Sequence, residues 1–229
     1  IFMDPGRMMS DPKTWLDLVA RFGVQQVGMG NSMAAKLNEW FADNAPQHDL
    51  SSLKGLYFGS EMIVPDNIKS LIQNLKTCGM NEARASLVYS MTETGPLIVT
   101  SMDADDLCDT CKIQNGYFTL QSCFVSWSVR IANEDNETLR MGEIGSIQAK
   151  SRTRMFKGYC HRDDSFLEDG WFDTGDLGAL TEDGLVLTGR KKSVIIINAR
   201  KISTDANEIE LPGIEGITPG HVAALPYRD

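Results

Sequence analysis

The sequence has no apolar stretch on the scale of a bilayer. Its longest aliphatic run, Val194-Ile195-Ile196-Ile197, is far short of the roughly 20 residues that a spanning helix needs. No signal-peptide pattern opens the chain. A basic excess is also missing. Lys and Arg number 22 against 31 Asp and Glu, a net charge of -9. Long-range electrostatics therefore oppose DNA, RNA and anionic membranes and leave room only for a local basic patch that holds a phosphate. Paired cysteines are absent too. Cys78, Cys108, Cys111, Cys123 and Cys160 are odd in number and irregular in spacing. That pattern excludes a secreted disulfide framework and predicts reduced thiols in the cytoplasm. Cys108-Asp109-Thr110-Cys111 is a lone CxxC. A zinc site would need Cys160 and His161 as its second ligand pair, at an unusual separation. In a cytoplasmic protein the sequon Asn136-Glu137-Thr138 carries no sugar. No internal repeat or low-complexity segment is found.

What is present supports a sizeable core, since 42% of the 229 residues are hydrophobic. Asp11 is placed to cap a helix whose apolar residues Trp15, Leu18, Val19 and Phe22 share a face, and Gly23 to end it. Val24 to Val27 reads as a strand, and Asn31 as the start of a helix over Ser32 to Phe41. Leu53 to Phe58 reads as a buried strand closed by Gly59. Pro65 opens a helix to about Lys76, and Ala85 to Tyr89 is strand-like again. Residues 1–100 thus alternate helix and strand, the α/β pattern. Over residues 101–188 the runs shorten and become β-rich: Phe118 to Leu120, Val125 to Ile131, Ser146 to Ala149 and Leu185 to Thr188. Turn residues separate them at Asn115-Gly116, Asn133 to Asn136, Glu168-Asp169-Gly170 and Glu182-Asp183-Gly184. This predicts an antiparallel subdomain, distorted and barrel-like. Gly189 to Ile202 reads as a strand pair, and Glu208 to Leu211 as a helix start cut by Pro212-Gly213.

Three segments can carry chemistry. Tyr89-Ser90-Met91-Thr92-Glu93-Thr94-Gly95 leaves an apolar strand, where the carboxyl end of an open α/β sheet holds its ligand. There Tyr89 can stack on a base, Thr92 can bond a phosphate and Glu93 can hold Mg²⁺; an ordinary polar strand exit is the plainer alternative. In Gly170-Trp171-Phe172-Asp173-Thr174-Gly175-Asp176-Leu177-Gly178, glycines around Asp176 allow its carboxylate to reach a ribose; a β-turn with an Asx hydrogen bond fits equally. In Thr188-Gly189-Arg190-Lys191-Lys192-Ser193, Arg190 can pair with a phosphate or ribose and Lys192 can sit at a hinge, or the cations can protect a sheet edge.

Taken together and in order, these segments resemble the adenylate-forming superfamily of acyl-CoA synthetases, nonribosomal peptide adenylation domains and fatty acyl-AMP ligases. Gly142-Glu143-Ile144-Gly145, Gly158-Tyr159 and Gly59-Ser60-Glu61 match weaker family motifs in the right order. Val27 to Ala34 and Gly213 to Ala224 resemble fatty acyl-AMP ligases and polyketide-synthase loading ligases. The resemblance implies part of a large domain, with a hinge at 189–192 and the start of a small C-terminal domain at 193–229. It implies activation of a carboxylic acid, of the fatty type, with ATP and Mg²⁺, and transfer of the acyl group to CoA or to a carrier protein's phosphopantetheine. Gly59, Ser60 and Glu61 would line the adenine pocket and Tyr89 would stack on the base. Thr92 would contact phosphate, Glu93 would bind Mg²⁺ and Asp176 would hold the ribose. Arg190 would touch the nucleotide, Lys192 would be the hinge, and Met29 and Asn31 would belong to the acyl pocket.

The chain also departs from the family. Ser90 replaces a usual glycine, Ala199 replaces another, and Ser122 to Ile131 lacks the usual proline-glycine turn. The stretch Ser203 to Asn207 is longer than usual. The family's phosphate loop is expected upstream of Ile1 and its catalytic lysine beyond Asp229, so this segment alone is expected to be inactive. A degenerate docking or scaffold module is the alternative reading.

Overall fold

A sheet of four strands organises the first part of the chain. In the computed structural model, which describes residues 5–109, 113–114, 117–120, 127–151, 156–160, 166–197 and 200–203, two short helices come first, α1 (Pro5–Ser10) and α2 (Lys13–Phe22). The sheet is then built from β1 (Gln26–Met29), β2 (Gly55–Gly59), β3 (Arg84–Met91) and β4 (Gly95–Asp103), in that spatial order. The first three strands are parallel, and β4 returns antiparallel to β3. Helices α3 (Asn31–Asp43) and α4 (Pro65–Thr77) make the two crossovers that parallel pairing requires. They pack together, with Asn38 Nδ2 donating to Asn67 O at 2.9 Å and Asn74 Nδ2 to Asn38 Oδ1 at 3.0 Å.

The α/β alternation expected from the sequence is therefore present, with shifted edges. Pro65 opens α4 as its fixed φ suits. Helix α2 begins at Lys13, so Asp11 does not cap it with a side-chain bond to the backbone; its carboxylate accepts from the Thr14 hydroxyl at 2.8 Å. Leu16, fully buried, joins Trp15 and Val19 in the core, while Phe22 is 55% exposed beside Arg21. The strand expected at Val24 to Val27 lies two residues later, at β1.

In β2, Leu56 and Phe58 share one face and are fully buried, whereas Tyr57 between them is 40% exposed. Their register partners Ala85 and Leu87 on β3 are also buried, and Tyr89 continues that row. This row, with Leu37 of α3 and Ile68, Leu71 and Leu75 of α4, makes the core.

After β4 come α5 (Ala104–Asp109) and the antiparallel pair β5 (Ile113–Gln114) and β6 (Tyr117–Leu120). The first compact unit covers Ile1–Phe124 and the second Val125–Asp229. Strand β4, Gly95–Asp103, crosses the boundary expected at residue 100 and completes the α/β sheet.

The second unit is an antiparallel meander. Its strands are β7 (Trp127–Ala132), β8 (Gly145–Ser151), β9 (Phe172–Thr181) and β10 (Gly184–Arg190), each paired with the next. A 3₁₀ turn at Lys191–Ser193 leads into the hairpin β11 (Val194–Ile197) and β12 (Arg200–Ser203). That hairpin is the strand pair expected over Gly189 to Ile202. The helix expected at Glu208 lies outside the described residues, as do Cys111 and His161 of the zinc reading. No helix of the described residues is long and apolar enough to cross a membrane.

Truncating Phe58 to Ala should cost about 3–5 kcal/mol, and Tyr57→Ala on the same strand well under half of that. Urea unfolding of both variants checks the assignment of faces. The free cysteines make a second test. Cys160 is exposed, while Cys78 is buried and its thiol is pushed above its ordinary pKa by burial. A raised pKa leaves less thiolate at any given pH, so a thiol reagent at pH ~8 should modify Cys160 in the native protein and reach Cys78 only on unfolding. Peptide-resolved mass spectrometry reads both.

Candidate functional site

In the first unit the three parallel strands end at one edge of the sheet, and the expected residues come off that edge. Met29 ends β1 and Asn31 begins α3. Gly59 ends β2 and is followed by Ser60 and Glu61. Tyr89 lies near the end of β3, with Thr92 and Glu93 in the hairpin turn to β4. The fold therefore brings together Met29, Asn31, Gly59, Ser60, Glu61, Tyr89, Thr92 and Glu93.

Their surroundings differ. Gly59 faces Val88 across the ladder, and a Cβ there would stand 2.5 Å from the Val88 carbonyl oxygen. No other residue fits that approach without moving the strands. Ser60 has φ +66, a left-handed conformation that is strained for a serine. Tyr89 is 7% exposed, at the end of the buried row on β3. Thr92 is exposed and Glu93 half-buried. A hydroxyl and a carboxylate on one turn are hard oxygen donors of the kind Mg²⁺ takes, together with waters and substrate phosphates. Ser90, which replaces the family's glycine, sits within β3 opposite Pro96 and is not among the residues with positive φ, so its backbone does not require glycine.

Two residues make bonds that the sequence did not show. Asn31 is the first residue of α3, and the N-cap, Gly30, makes no side-chain cap bond. The Asn31 Oδ1 instead accepts from the Val64 N–H at 3.1 Å and from Asn67 Nδ2 at 3.3 Å, tying α3 to the start of α4. Glu61 is taken up by α3: its Oε2 accepts from the Ser32 N–H at 2.8 Å and from the Ser32 hydroxyl at 2.5 Å. Ser32 was not singled out from the sequence. No local pattern could reveal it, because its partner is 29 residues away.

In the second unit the site is made by an irregularity. Ser146 pairs with Leu177 and Gln148 with Asp173, so Ile147 alone faces Thr174, Gly175 and Asp176. The surplus residues bulge out of β9, and Gly175 takes φ +77 at the crest. Thr174 locks the bulge: its hydroxyl donates to the Ile147 carbonyl at 2.8 Å and accepts from the Asp176 N–H at 3.2 Å. Asp173 Oδ1 accepts from the Gly175 N–H at 2.9 Å, the Asx contact expected for a turn, here inside a strand.

The residues before the bulge anchor it. Arg130 lies over the Trp171 ring at 4.5 Å, and Phe172 packs with Phe156 and Phe166. Gln148, fully buried, accepts from Arg130 Nε at 2.8 Å and donates to Asn136 Oδ1 at 2.7 Å. Asp176 is 9% exposed, and its Oδ1 stands 3.1 Å from Nε of Arg190, its register partner on β10. Lys191 pairs with Asp173. Lys192 is exposed at the 3₁₀ turn. The Gly142 to Gly145 segment forms the turn into β8, where Glu143 Oε2 accepts from the Arg140 N–H at 2.8 Å. Chemically, this unit offers one fixed carboxylate with an arginine against it, an arrangement suited to a diol carrying a nearby anionic group.

Comparison with known proteins agrees with this geometry. Residues 1–160 match the family described as AMP-binding enzyme. The aspulvinone E synthetase of Aspergillus terreus is 31% identical over 223 residues, which are 92% of this chain and 24% of that protein. Among solved structures, a multidomain structure with adenylation, ketoreductase and pseudo-Asub domains, from a keto acid-selecting nonribosomal peptide synthetase module, matches with a TM-score of 0.79 and 26% identity, over 98% of this chain and 21% of that one. An adenylation and carrier-protein pair complexed with phenylalanyl-adenylate matches with a TM-score of 0.75 and 26% identity, over 92% and 38%. The chain spans about a quarter of the length of the curated relative. With its parallel sheet, its antiparallel meander and residues 1–160 within the family's pattern, the chain belongs to the AMP-binding enzymes, the adenylate-forming superfamily.

Proposed function

We propose that this chain supplies the nucleotide-holding part of a ligase that activates a carboxylic acid as its acyl-adenylate and passes the acyl group to a thiol, of CoA or of a carrier protein's phosphopantetheine. The observation that carries the reading is the bulge in β9. It holds a nearly buried carboxylate, Asp176, 3.1 Å from the Arg190 guanidinium. A carboxylate so fixed can accept from both ribose hydroxyls, and Arg190 can meet the adjoining phosphate.

The other roles follow the sheet edge. Gly59, Ser60 and Glu61 form the adenine side, with Tyr89 against the base. Thr92 donates to phosphate. Glu93 would hold Mg²⁺, whose chemistry is to neutralise charge on the phosphates. Met29 and Asn31 stand on the acid side. Residues 189–192 form the hinge, with Lys192 at the 3₁₀ turn, and 193–229 begin a small domain. The acid is of the fatty type by the resemblance of Val27 to Ala34. The protein works in the cytoplasm, where its cysteines stay reduced.

ATP–pyrophosphate exchange by the full-length gene product, with a panel of fatty, aryl and keto acids, tests the reading. Exchange with at least one acid is expected. Folded protein silent across the panel points instead to the degenerate docking or scaffold reading. In the active protein, Asp176→Ala should weaken AMP binding by roughly 2–3 kcal/mol, about 30- to 150-fold, because two charge-assisted hydrogen bonds are lost. Thr174→Val keeps the shape but removes both bonds that lock the bulge. It should weaken AMP about three- to tenfold and lower stability by about 1–2 kcal/mol. Calorimetry with AMP and urea unfolding measure these effects.

A further inference from the structure

We infer that Glu61 is a positioning residue, a clamp that holds the strained Ser60 segment in place by gripping the first turn of α3. The inference rests on the nucleotide reading above and sharpens it, because it gives Glu61 a role on the adenine side that is exerted through Ser60.

Glu61 follows the last residue of β2 by two positions and could point in many directions, since it is exposed. It points across to α3, the helix that follows the neighbouring strand β1. There its Oε2 takes both the backbone N–H and the hydroxyl of Ser32. The Ser32 N–H is one of the first N–H groups of the helix, which have no partner within it, and the positive end of the helix dipole favours an anion at that point. Space has been made for the carboxylate. A Cβ on Gly30 would stand 2.4 Å from Glu61 Oε1, so a side chain at position 30 would push the clamp away.

The residue next to the clamp is the strained one. Ser60 has φ +66, one of two non-glycine residues with positive φ among those described. A non-glycine residue stays left-handed only where its surroundings over-determine it, against a cost worth roughly a tenfold change in an equilibrium. Ser60 lies between two fixed points. Gly59 is pinned against Val88 by the ladder, and Glu61 is pinned to Ser32 by its carboxylate. A second tie supports the same junction, since Asn31 Oδ1 accepts from the Val64 N–H and from Asn67 Nδ2. The connection after β1 and the connection after β2 are thus joined twice. Removing the carboxylate frees Glu61's end of this arrangement, and Ser60 relaxes out of the left-handed region.

The experiment is AMP calorimetry on the full-length protein, with urea unfolding of every variant and exchange kinetics where an acid is found. Glu61→Ala should weaken AMP about tenfold, and raise KM for ATP with kcat within a factor of about two, while the protein stays folded. Glu61→Gln keeps an oxygen acceptor for Ser32 and should recover most of the affinity. The decisive variant adds Ser60→Gly to Glu61→Ala. Glycine adopts positive φ without a clamp, so affinity should return to within about threefold of the parent. Unchanged AMP binding in Glu61→Ala would overturn the clamp, as would a loss that Ser60→Gly fails to repair. A parent protein that binds no AMP overturns the nucleotide reading itself, and the clamp with it.

Discussion

Parallel pairing of β1, β2 and β3 is the constraint on which the first unit's candidate residues depend. Parallel strands run the same way, so whatever follows each of them leaves the sheet at one edge. Met29 and Asn31, Gly59 to Glu61, and Tyr89 to Glu93 are far apart in sequence, yet the pairing gathers them. The height at which they emerge is set by register, and register is set by the core. Leu56 and Phe58 are fully buried and aligned with Ala85 and Leu87. A slip of one residue would turn both outward and lift Tyr57 into the core, so it is strongly opposed. The close approach of Gly59 to Val88 has the same origin: the last rung of the ladder is tight because the rungs before it are in register.

The second unit reaches its candidate residue by the opposite means. A regular β9 would place Asp176 by simple alternation, with nothing to fix its depth. Instead three residues are set against Ile147, and Thr174 closes the irregularity with two hydrogen bonds. An aromatic cluster around Phe172 and the Arg130–Trp171 contact hold the strand before the bulge. Regular pairing with β10 resumes from Arg190–Asp176 onward and holds the strand after it, apart from one further irregularity near Gly189. The bulge is thus gripped at both ends. Most of the tryptophan-to-aspartate motif is scaffolding for a single carboxylate.

Local signals in the sequence revealed the elements that local chemistry determines. Pro65 marked the start of α4, the apolar run Val194 to Ile197 marked β11, and Glu182-Asp183-Gly184 marked the turn between β9 and β10. β9 itself was hidden. Its glycines at 175 and 178 and its two aspartates break the alternation by which a strand is recognised, so Trp171 to Gly178 reads as a turn. β4 was not singled out as a strand, and nothing local says which strand it pairs with. Asn31 looked like a cap and Glu61 like part of a pocket wall. Each proved to bond a residue about thirty positions away, and such partners come from topology and not from the pattern of neighbouring residues.

Charge balance narrows what the second unit can hold. Arg190, Lys191 and Lys192 form a run of cations in a chain whose net charge is -9. Read alone, Arg190 suggests a partner for a phosphate or a ribose. In the fold, Arg190 is set against Asp176 and Lys191 against Asp173, so much of the run's charge is already met by protein carboxylates. A group bound there gains little from net positive potential and more from directed hydrogen bonds, which suits a neutral diol better than a chain of phosphates. The hydroxyl and carboxylate at Thr92 and Glu93, in the first unit, are the pair whose chemistry suits phosphate oxygens and a divalent cation. The second unit therefore offers fixed acceptors with balanced charge, and the first offers hard oxygen donors.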